Sequence, residues 1–332
     1  MSAALLVACG GPASDDGGAP SRVAAITDAG ALDASPPDAS PPDAGLVDAG
    51  AAAWTRLTTT DGATIEGELV ARYDHARWWW DPAAEETLAL FDPRGLAEWP
   101  DDRSLTFVSS LDVAGLAAVA RPDGLSSYRD AMRDRGVRLE RVPLDGVAYV
   151  ITAGERYHLE ESGYGDFAWD LVVLDAEGRS HSGDGLSNED YLVWDREVRL
   201  PVSGIVVEVV ADAPDVPPGP ADLSAVNNLV GVQVYGGYYV YLLHLRQGSV
   251  PPEVVVGARL DAGTVIGRAG NSGVSAEPHV HVVALAWDRD ADPPRTWSVP
   301  AEWHDVWVGP RAGTRREWVA PWSGDYVSND PF

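Results

Sequence analysis

Residues 267–285, GRAGNSGVSAEPHVHVVAL, decide the fold of the larger part of this chain. The segment ends in an apolar run typical of a buried strand and places His279 and His281 two residues apart. Because residues two apart on a strand point to the same face, the two imidazoles lie side by side, with about 6–7 Å between their Cα atoms. Gly270-Asn271-Ser272-Gly273 predicts a turn before the strand. The pair is half of a metal site, although a hydrogen-bonded structural pair fits the pattern equally well.

Runs of β-branched and aromatic residues, broken by Gly, Pro and Asp, dominate the chain after residue 144. Such runs are typical of strands. The predicted strands cover 147–151, 167–174, 204–210, 230–235, 238–245 and 279–286. Gly236-Gly237 predicts a hairpin between the fourth and fifth of them. With no convincing helix among them, this half is predicted to be mainly β with antiparallel pairing.

Three more residues could complete the metal site. His244 is the one polar group on a predicted strand face that it shares with Val240 and Leu242. It is therefore either part of the site or a buried histidine bonded to a carbonyl group. A chain reversal after His158 would bring this residue beside Asp170.

The preceding segment, residues 54–144, is predicted to form a small α+β domain. Alternating apolar and polar residues around Asp61-Gly62 predict a β-hairpin over 54–70. Residues 111–120 and 125–135 are predicted to form two short helices, with Gly136 as the stop of the second.

The first 53 residues carry the features of an anchor and a tether. Residues 5–10, LLVACG, resemble a bacterial lipobox around Cys9, the chain's one cysteine. None of the eight residues before it is Lys or Arg, so either the basic start of an export signal lies upstream or the match is accidental. Residues 10–53 are rich in Ala, Gly, Pro, Ser and Asp; they cannot bury a core and are predicted to be a disordered tether. We therefore expect an envelope lipoprotein, anchored in the outer membrane because Gly10 and not Asp follows the cysteine, with membrane contact only through the lipid.

Charge, cysteine content and hydrophobicity argue against three features: nucleic-acid binding, an internal disulfide and a membrane-spanning helix. The formal charge of -27 argues against nucleic-acid binding, which requires Lys and Arg to neutralise phosphates. A second cysteine is absent from the sequence, so an internal disulfide cannot form. After the first few residues there is no apolar run of about 18 residues, so no membrane-spanning helix is predicted.

Five segments, taken together, resemble the lysostaphin/LytM-type zinc metallopeptidases in order and spacing. The resemblance covers roughly 145–290 and is most specific at the turn followed by His-x-His, with His-Leu upstream. It implies an antiparallel fold of the duplicated hybrid motif type over a peptidase domain at 145–310, followed by a tail at 311–332. The segments are FAWDL at 167–171, VRLPVSGIV at 198–206, LHLRQGSV at 243–250, VIG at 265–267 and GNSG…EPHVH at 270–281.

The resemblance also implies roles for individual residues. It assigns the metal ligands to His158, Asp170 and His281, and the two assisting histidines to His244 and His279. The family's first motif separates its His and Asp by four positions, whereas the interval here is twelve, and His181 is the rival of His158 as a ligand.

The chemistry of such a site agrees with these roles. Two imidazoles and one carboxylate leave one Zn²⁺ ion an open position, as catalytic zinc requires, and a structural site would add a fourth ligand. Zinc lowers the pKa of bound water to ~7, and a free imidazole with a pKa near ~6.5 can take up the proton. Proton transfer is assigned mainly to His279 and oxyanion support to His244, although the sequence does not separate the two roles.

The function implied is a zinc endopeptidase that hydrolyses peptide bonds, with peptidoglycan cross-link peptides as the partner. The alternative is a non-catalytic LytM-type regulator of cell-wall amidases, whose mark is the loss of zinc ligands. A third hypothesis is a glycan-binding surface protein that uses its tryptophans, among them Trp78-Trp79-Trp80 and Trp99, although clustered tryptophans are more often core residues. His75 and His304 are interpreted as structural, and the oligomeric state is left open.

Overall fold

The fold is organised around two antiparallel sheets, one before and one after residue 125. The structure is a computed structural model that describes residues 54–74, 86–153, 163, 165–222, 224–291, 295–310 and 312–332. Cys9, the tether at 10–53, the tryptophans at 78–80, His75 and His158 lie outside these residues.

The first sheet has five strands in the order β4-β3-β2-β1-β5. Its hairpin at Asp61-Gly62 is confirmed, and Gly62 adopts a φ of +88°, which glycine reaches without a steric penalty. Its apolar face is formed by the buried side chains of Leu57, Leu88, Leu90 and Val108. The strands are β1 (Trp54–Thr59), β2 (Thr64–Asp74), β3 (Glu86–Phe91), β4 (Leu105–Ser109) and β5 (Val113–Val119).

The helix predicted at 111–120 is wrong. A single 3-10 turn at Ser110–Asp112 leads into the edge strand β5, which pairs with β1 so that Leu116 lies opposite Leu57. Gly115 in the interior and valines at both ends of β5 lower the helix propensity of this segment. Pairing with β1 therefore decides the conformation of this segment.

The second predicted helix exists, in a shorter form, as α1 (Tyr128–Asp134). The Ser127 hydroxyl caps it by accepting a hydrogen bond from the Asp130 amide at 3.1 Å. Gly136, with a φ of +73°, follows its end. The buried face of α1 belongs to the same core as the larger sheet. Residues 128–144, expected within the N-terminal domain, therefore pack on the second one.

The larger sheet has eleven strands, ten of them in the order β12-β9-β10-β11-β14-β7-β6-β18-β16-β17, while β15 pairs with β14. A ribbon of β8 and β13 lies apart from it. This mainly antiparallel β architecture confirms the predicted fold class. The strands are β6 (Val147–Ala153), β7 (Trp169–Val172), β8 (Glu197–Arg199), β9 (Gly204–Val210), β10 (Leu229–Tyr235), β11 (Tyr238–Leu243), β12 (Arg259–Leu260), β13 (Val265–Arg268), β14 (Val280–Asp288), β15 (Arg295–Ser298), β16 (Trp303–Gly309), β17 (Thr314–Val319) and β18 (Tyr326–Ser328).

The C-terminal segment differs from the predicted tail at 311–332. It contributes β17 and β18 to the larger sheet, and β18 lies between β6 and β16. Among the described residues, none of the helices has the length and hydrophobicity needed to cross a bilayer.

Strand β14 lies near the middle of the larger sheet, between β11 and β7. Its side chains alternate between two buried layers: Val280, Val282, Ala284 and Ala286 belong to the main core, whereas Val283 and Leu285 belong to a smaller cluster on the opposite face. His281 has the same parity as Val283, so the strand directs it to that opposite face.

Candidate metal centre

Strand register brings the predicted site residues together. In the pairing of β14 with β7, His281 lies opposite Asp170, and in the pairing with β11 it lies opposite Leu243. His244 directly follows Leu243, and His279 directly precedes β14. Four side chains from three neighbouring strands therefore meet at one end of β14.

The position of His244 corrects one expectation. Strand β11 ends at Leu243, and His244 adopts a left-handed φ of +61°. It therefore does not share a strand face with Val240 and Leu242, which lie in the main core. Non-glycine residues in this conformation are uncommon and concentrate at functional sites.

The three histidines form one buried cluster. Each offers a ring nitrogen that lies within 4.8 Å of those of the other two. The ring centroid of His244 lies 4.4 Å from that of His279 and 5.8 Å from that of His281. Within the described part of the chain, this is the only group of three or more His, Cys, Asp or Glu residues with such spacing.

Asp170 adds a carboxylate to the cluster. Its Oδ1 lies 3.0 Å from His281 Nδ1 and 3.4 Å from His279 Nε2. All four side chains are buried. A buried carboxylate is costly unless charge or hydrogen bonds compensate it, and here imidazole nitrogens face it.

Backbone carbonyl groups fix the orientation of two rings. His244 Nδ1 lies 2.7 Å from the Ser272 carbonyl oxygen, and His279 Nδ1 lies 2.8 Å from that of Glu277. Since a carbonyl oxygen can only accept, both Nδ1 atoms carry the proton. In the neutral form of each ring, Nε2 is therefore the nitrogen with a lone pair.

The two rings differ in basicity. Burial lowers the pKa of His244 well below its ordinary value, and the neighbouring His279 and His281 lower it further. Burial would also lower the pKa of His279, but the Asp170 carboxylate outweighs it, so this pKa is raised. His244 is thus held neutral, whereas His279 holds a proton more readily.

The donor set suits zinc. With metal–ligand bonds of about 2.0–2.2 Å, neighbouring ligand atoms of a tetrahedral site lie about 3.3–3.6 Å apart. Asp170 Oδ1 and His281 Nδ1, the two described atoms assigned as ligands, lie 3.0 Å apart, so a small separation of the two side chains brings them into this range. Buried nitrogen and carboxylate donors at this spacing are compatible with one Zn²⁺ ion.

The other candidate histidines have different surroundings. His181, the rival of His158, packs against Tyr191 with 5.2 Å between the ring centroids and is not part of the cluster. His304 packs against Trp318 at 4.4 Å between their ring centroids. The assignment of His158 as a ligand concerns a residue outside the described ranges and stays a prediction.

Two residues that hold the site in place carry little signal in the sequence. The sequence marks Ser272 only as part of a turn, but its carbonyl oxygen accepts from His244 and its hydroxyl bonds two further segments. Asp215 lies in the proline-rich segment 211–222, which follows β9, and accepts from the amides of Gln247 and Asn271. The sequence signal for these residues was weak, because their partners are backbone groups far away in the chain.

Comparison with known proteins agrees with this site. Residues 195–293 match the model of peptidase family M23. The matched range contains His244, His279 and His281, and Asp170 precedes it. Over this range the resemblance to lysostaphin/LytM-type peptidases is confirmed. Among curated proteins, none matches the chain.

Solved structures similar to the chain include three M23-type proteins. The catalytic domain of EnpA, a prophage-encoded M23 protein from Enterococcus faecalis, is 16% identical, with 49% of this chain and 88% of that one covered and a TM-score of 0.26. The catalytic domain of lysostaphin from Staphylococcus simulans is 18% identical, with 43% and 80% covered and a TM-score of 0.25. Pseudoalterin, described as an M23 metalloprotease from the deep sea, is 17% identical, with 45% and 70% covered and a TM-score of 0.29.

Proposed function

We propose that this protein is a zinc-dependent endopeptidase that hydrolyses peptide bonds, with peptidoglycan cross-links as its substrate. The observation that carries the proposal is the buried convergence of Asp170, His244, His279 and His281 at one end of β14. The family match supports the reaction class, because family M23 is a peptidase family. The cell-wall substrate comes from the resemblance of the five sequence segments to lysostaphin/LytM-type peptidases.

Asp170 Oδ1 and His281 Nδ1 would hold the zinc ion, with His158 as the third ligand. When bound, the ion would supply Lewis acidity, which polarises the scissile carbonyl group and makes a water molecule acidic near neutral pH. The carboxylate leaves the site with less positive charge than three neutral imidazoles would.

His244 is placed to accept a proton. It is neutral, its Nδ1–H is engaged with the Ser272 carbonyl group, and its Nε2 has a lone pair. It can therefore take the proton of the attacking water at Nε2 and, once protonated, donate Nε2–H to the oxyanion that develops on the substrate. A neutral His244 cannot give oxyanion support before this transfer, which refines the role expected from the sequence.

His279 is placed to deliver a proton. The Glu277 carbonyl oxygen accepts its Nδ1–H at 2.8 Å, so the proton that the charged ring can give up is the one on Nε2. His279 can donate from Nε2 to the leaving amine. The sequence prediction gave His279 the uptake of the water's proton as well, and our proposal moves that step to His244. The C–N bond then breaks to give one new carboxylate and one new amine. His244 loses its extra proton to solvent and His279 takes one up, which restores both rings for the next turnover.

The direct test is digestion of purified peptidoglycan by the full chain. We expect zinc-loaded protein to release peptides with new amino termini, detected by mass spectrometry. Chelation should stop the release, and added zinc should restore it. An absence of new termini with the zinc-loaded protein would refute the endopeptidase proposal. Stimulation of an added cell-wall amidase by a protein that cuts nothing itself would identify the non-catalytic regulator instead.

The location is a separate proposal. The lipobox-like segment at Cys9 and the tether that follows support a lipid-anchored protein of the cell envelope, with the outer membrane as its site. Cells fed a labelled fatty acid should label the protein, and Cys9→Ser should abolish the label and release the protein from the membrane fraction. Equal labelling of both forms would exclude Cys9 as the attachment site.

A further inference from the structure

We propose that Asn228 is a positioning residue for His244, and this proposal rests on the proposed function. Asn228 directly precedes β10 and is fully buried, with 0% of its surface exposed. Neither the family match nor the metal-site geometry assigns it a role. The case for it comes from the hydrogen bonds that surround His244.

The side chain of Asn228 links two segments. Its Oδ1 accepts from the Ala213 amide at 2.8 Å, and its Nδ2 donates to the Ala213 carbonyl oxygen at 2.8 Å and to the Leu245 carbonyl oxygen at 3.0 Å. The proline-rich segment that contains Ala213 is thereby linked to Leu245, the residue that follows His244. All three contacts have the geometry of normal hydrogen bonds.

The backbone of Asn228 completes the connection. Its carbonyl oxygen accepts from the Leu245 amide at 3.1 Å, and its amide donates to Ser272 Oγ at 2.9 Å. Ser272 Oγ in turn donates to the Leu245 carbonyl oxygen at 2.8 Å. One buried residue thus fixes both Leu245 and Ser272.

Leu245 constrains the backbone of His244, and Ser272 constrains its imidazole ring. Leu245 follows its backbone, which has the left-handed φ of +61°, and the Ser272 carbonyl oxygen accepts the proton of its ring. A strained backbone persists only where the surrounding structure over-determines it. Asn228 is the point at which these constraints meet, so it sets both the direction of the ring and the nitrogen left free for proton transfer.

The chain offers a matched control in Asn329, which follows β18. Its Oδ1 accepts from the Val142 amide at 2.8 Å, and its Nδ2 donates to the carbonyl oxygens of Val142 at 3.1 Å and Leu144 at 3.4 Å. The pattern of the three bonds is the same as at Asn228, but none of them involves a neighbour of His244. Truncation of either side chain deletes one acceptor and two donor contacts.

The experiment compares Asn228→Ala with Asn329→Ala in the full, zinc-loaded chain. We expect kcat on peptidoglycan peptides to fall by about 10- to 100-fold for Asn228→Ala, because a misplaced catalytic group costs up to about 100-fold. KM and zinc stoichiometry should stay unchanged. Asn329→Ala should keep its kcat, although its thermal stability falls. Equal kcat losses in the two variants, or none in either, would overturn the proposal.

A second readout needs no substrate. In protein with ¹⁵N-labelled histidine, the His244 Nδ1 proton should give a slowly exchanging imidazole signal, assigned by its loss in His244→Gln. The signal should weaken or shift in Asn228→Ala and persist in Asn329→Ala. If wild-type protein proves inactive, the endopeptidase proposal fails while this signal still tests the positioning. An unchanged signal in Asn228→Ala would refute the positioning even in an active enzyme.

If Asn228→Ala does not fold, Ser272→Ala still tests the proposal. It removes the hydroxyl that joins Asn228 to Leu245 but keeps the carbonyl group that His244 uses. We expect a kcat loss of the same kind but smaller size, with the same shift of the His244 signal. A Ser272→Ala variant with wild-type kcat and an unshifted signal would contradict the proposed linkage.

Discussion

The two ends of strand β14 each bury a carboxylate, and the difference between them separates a functional site from a structural one. At the first end, Asp170 is 8% exposed and faces two imidazoles. At the other end, Asp288 is 7% exposed and accepts from Trp297 Nε1 at 3.1 Å and from the Ala291 amide at 3.2 Å, with Arg295 at 3.6 Å. The indole, amide and guanidinium groups at Asp288 keep their protons at all ordinary pH values and cannot bind a metal. The imidazoles near Asp170 can exchange protons or bind a metal. Burial alone therefore does not mark the active end; the kind of partner does.

The largest effect is expected at the first end. His281→Ala should remove a zinc ligand and lower kcat/KM by more than about 1000-fold, because a catalytic metal contributes several kcal/mol to transition-state stabilisation. Zinc content after dialysis and peptide release measure the two losses. His304→Ala, which changes a histidine packed against Trp318 elsewhere in the sheet, should retain both. Full activity of His281→Ala would remove the metal site from the mechanism.

Exchanging each carboxylate for an amide tests the comparison itself. Asp170→Asn should weaken zinc binding by more than about 100-fold, since even loss of a residue that only supports a ligand costs 10–100-fold. Asp288→Asn should leave zinc affinity unchanged and lower the free energy of unfolding by about 1–3 kcal/mol, because an amide cannot reproduce both acceptor contacts and the charge. Competition with a zinc indicator and denaturant unfolding measure the two effects. A stability loss without an affinity loss at Asp170 would make the two ends equivalent.

Metal removal should affect stability through the first end only. At a zinc concentration of 100 times Kd, binding stabilises the native state by about 2.7 kcal/mol. Chelation should therefore lower the Tm of wild-type protein and of Asp288→Asn, but not that of His281→Ala. Differential scanning calorimetry with and without chelator checks this. Equal shifts in all three proteins would place the bound metal elsewhere.

A third carboxylate on the same sheet should give the smallest effect. Glu208 in β9 accepts one hydrogen bond, from Tyr241 Oη at 3.1 Å, and burial raises its pKa despite this bond. A raised folded-state pKa means that its contribution to stability is fully present below the unfolded pKa of about 4.3 and is lost as the pH rises through the folded value.

Glu208→Gln removes this titration. Relative to wild type, the variant should therefore gain stability as the pH rises from 4 to 7. Unfolding midpoints measured across this range check the sign. A relative loss of stability with rising pH would show that the ionised carboxylate is stabilised by groups other than Tyr241.

Much of the site could be predicted because its key pattern is local. The His-x-His spacing at the start of β14 and the hairpin at Gly236-Gly237 depend on extended backbone and turn chemistry, which short stretches of sequence carry. The left-handed backbone of His244 could not be predicted in this way. In our proposal it is fixed by Asn228 and Ser272, which lie 16 and 28 positions away in the sequence and act through the backbone of Leu245 and, for the Ser272 carbonyl oxygen, through the His244 ring.

The errors in the fold have a similar physical origin. The segment that forms β5 has ambiguous local preferences, and its pairing with β1 decides its conformation. Residues after 310 lack long apolar runs, and β18 exists as a strand because β6 and β16 lie on either side of it. Tertiary pairing outweighs local propensity in both cases.

The position of β18 also bears on how the chain folds. Until Tyr326–Ser328 insert, β6 and β16 each present a row of unsatisfied backbone groups to water or to other chains. Closure of the sheet joins segments that are distant in sequence, and such contacts form slowly. A truncated protein that ends before Tyr326 would lack β18 and would leave the facing edges of β6 and β16 unpaired. We expect such a protein to aggregate during synthesis although every residue of the metal centre is present.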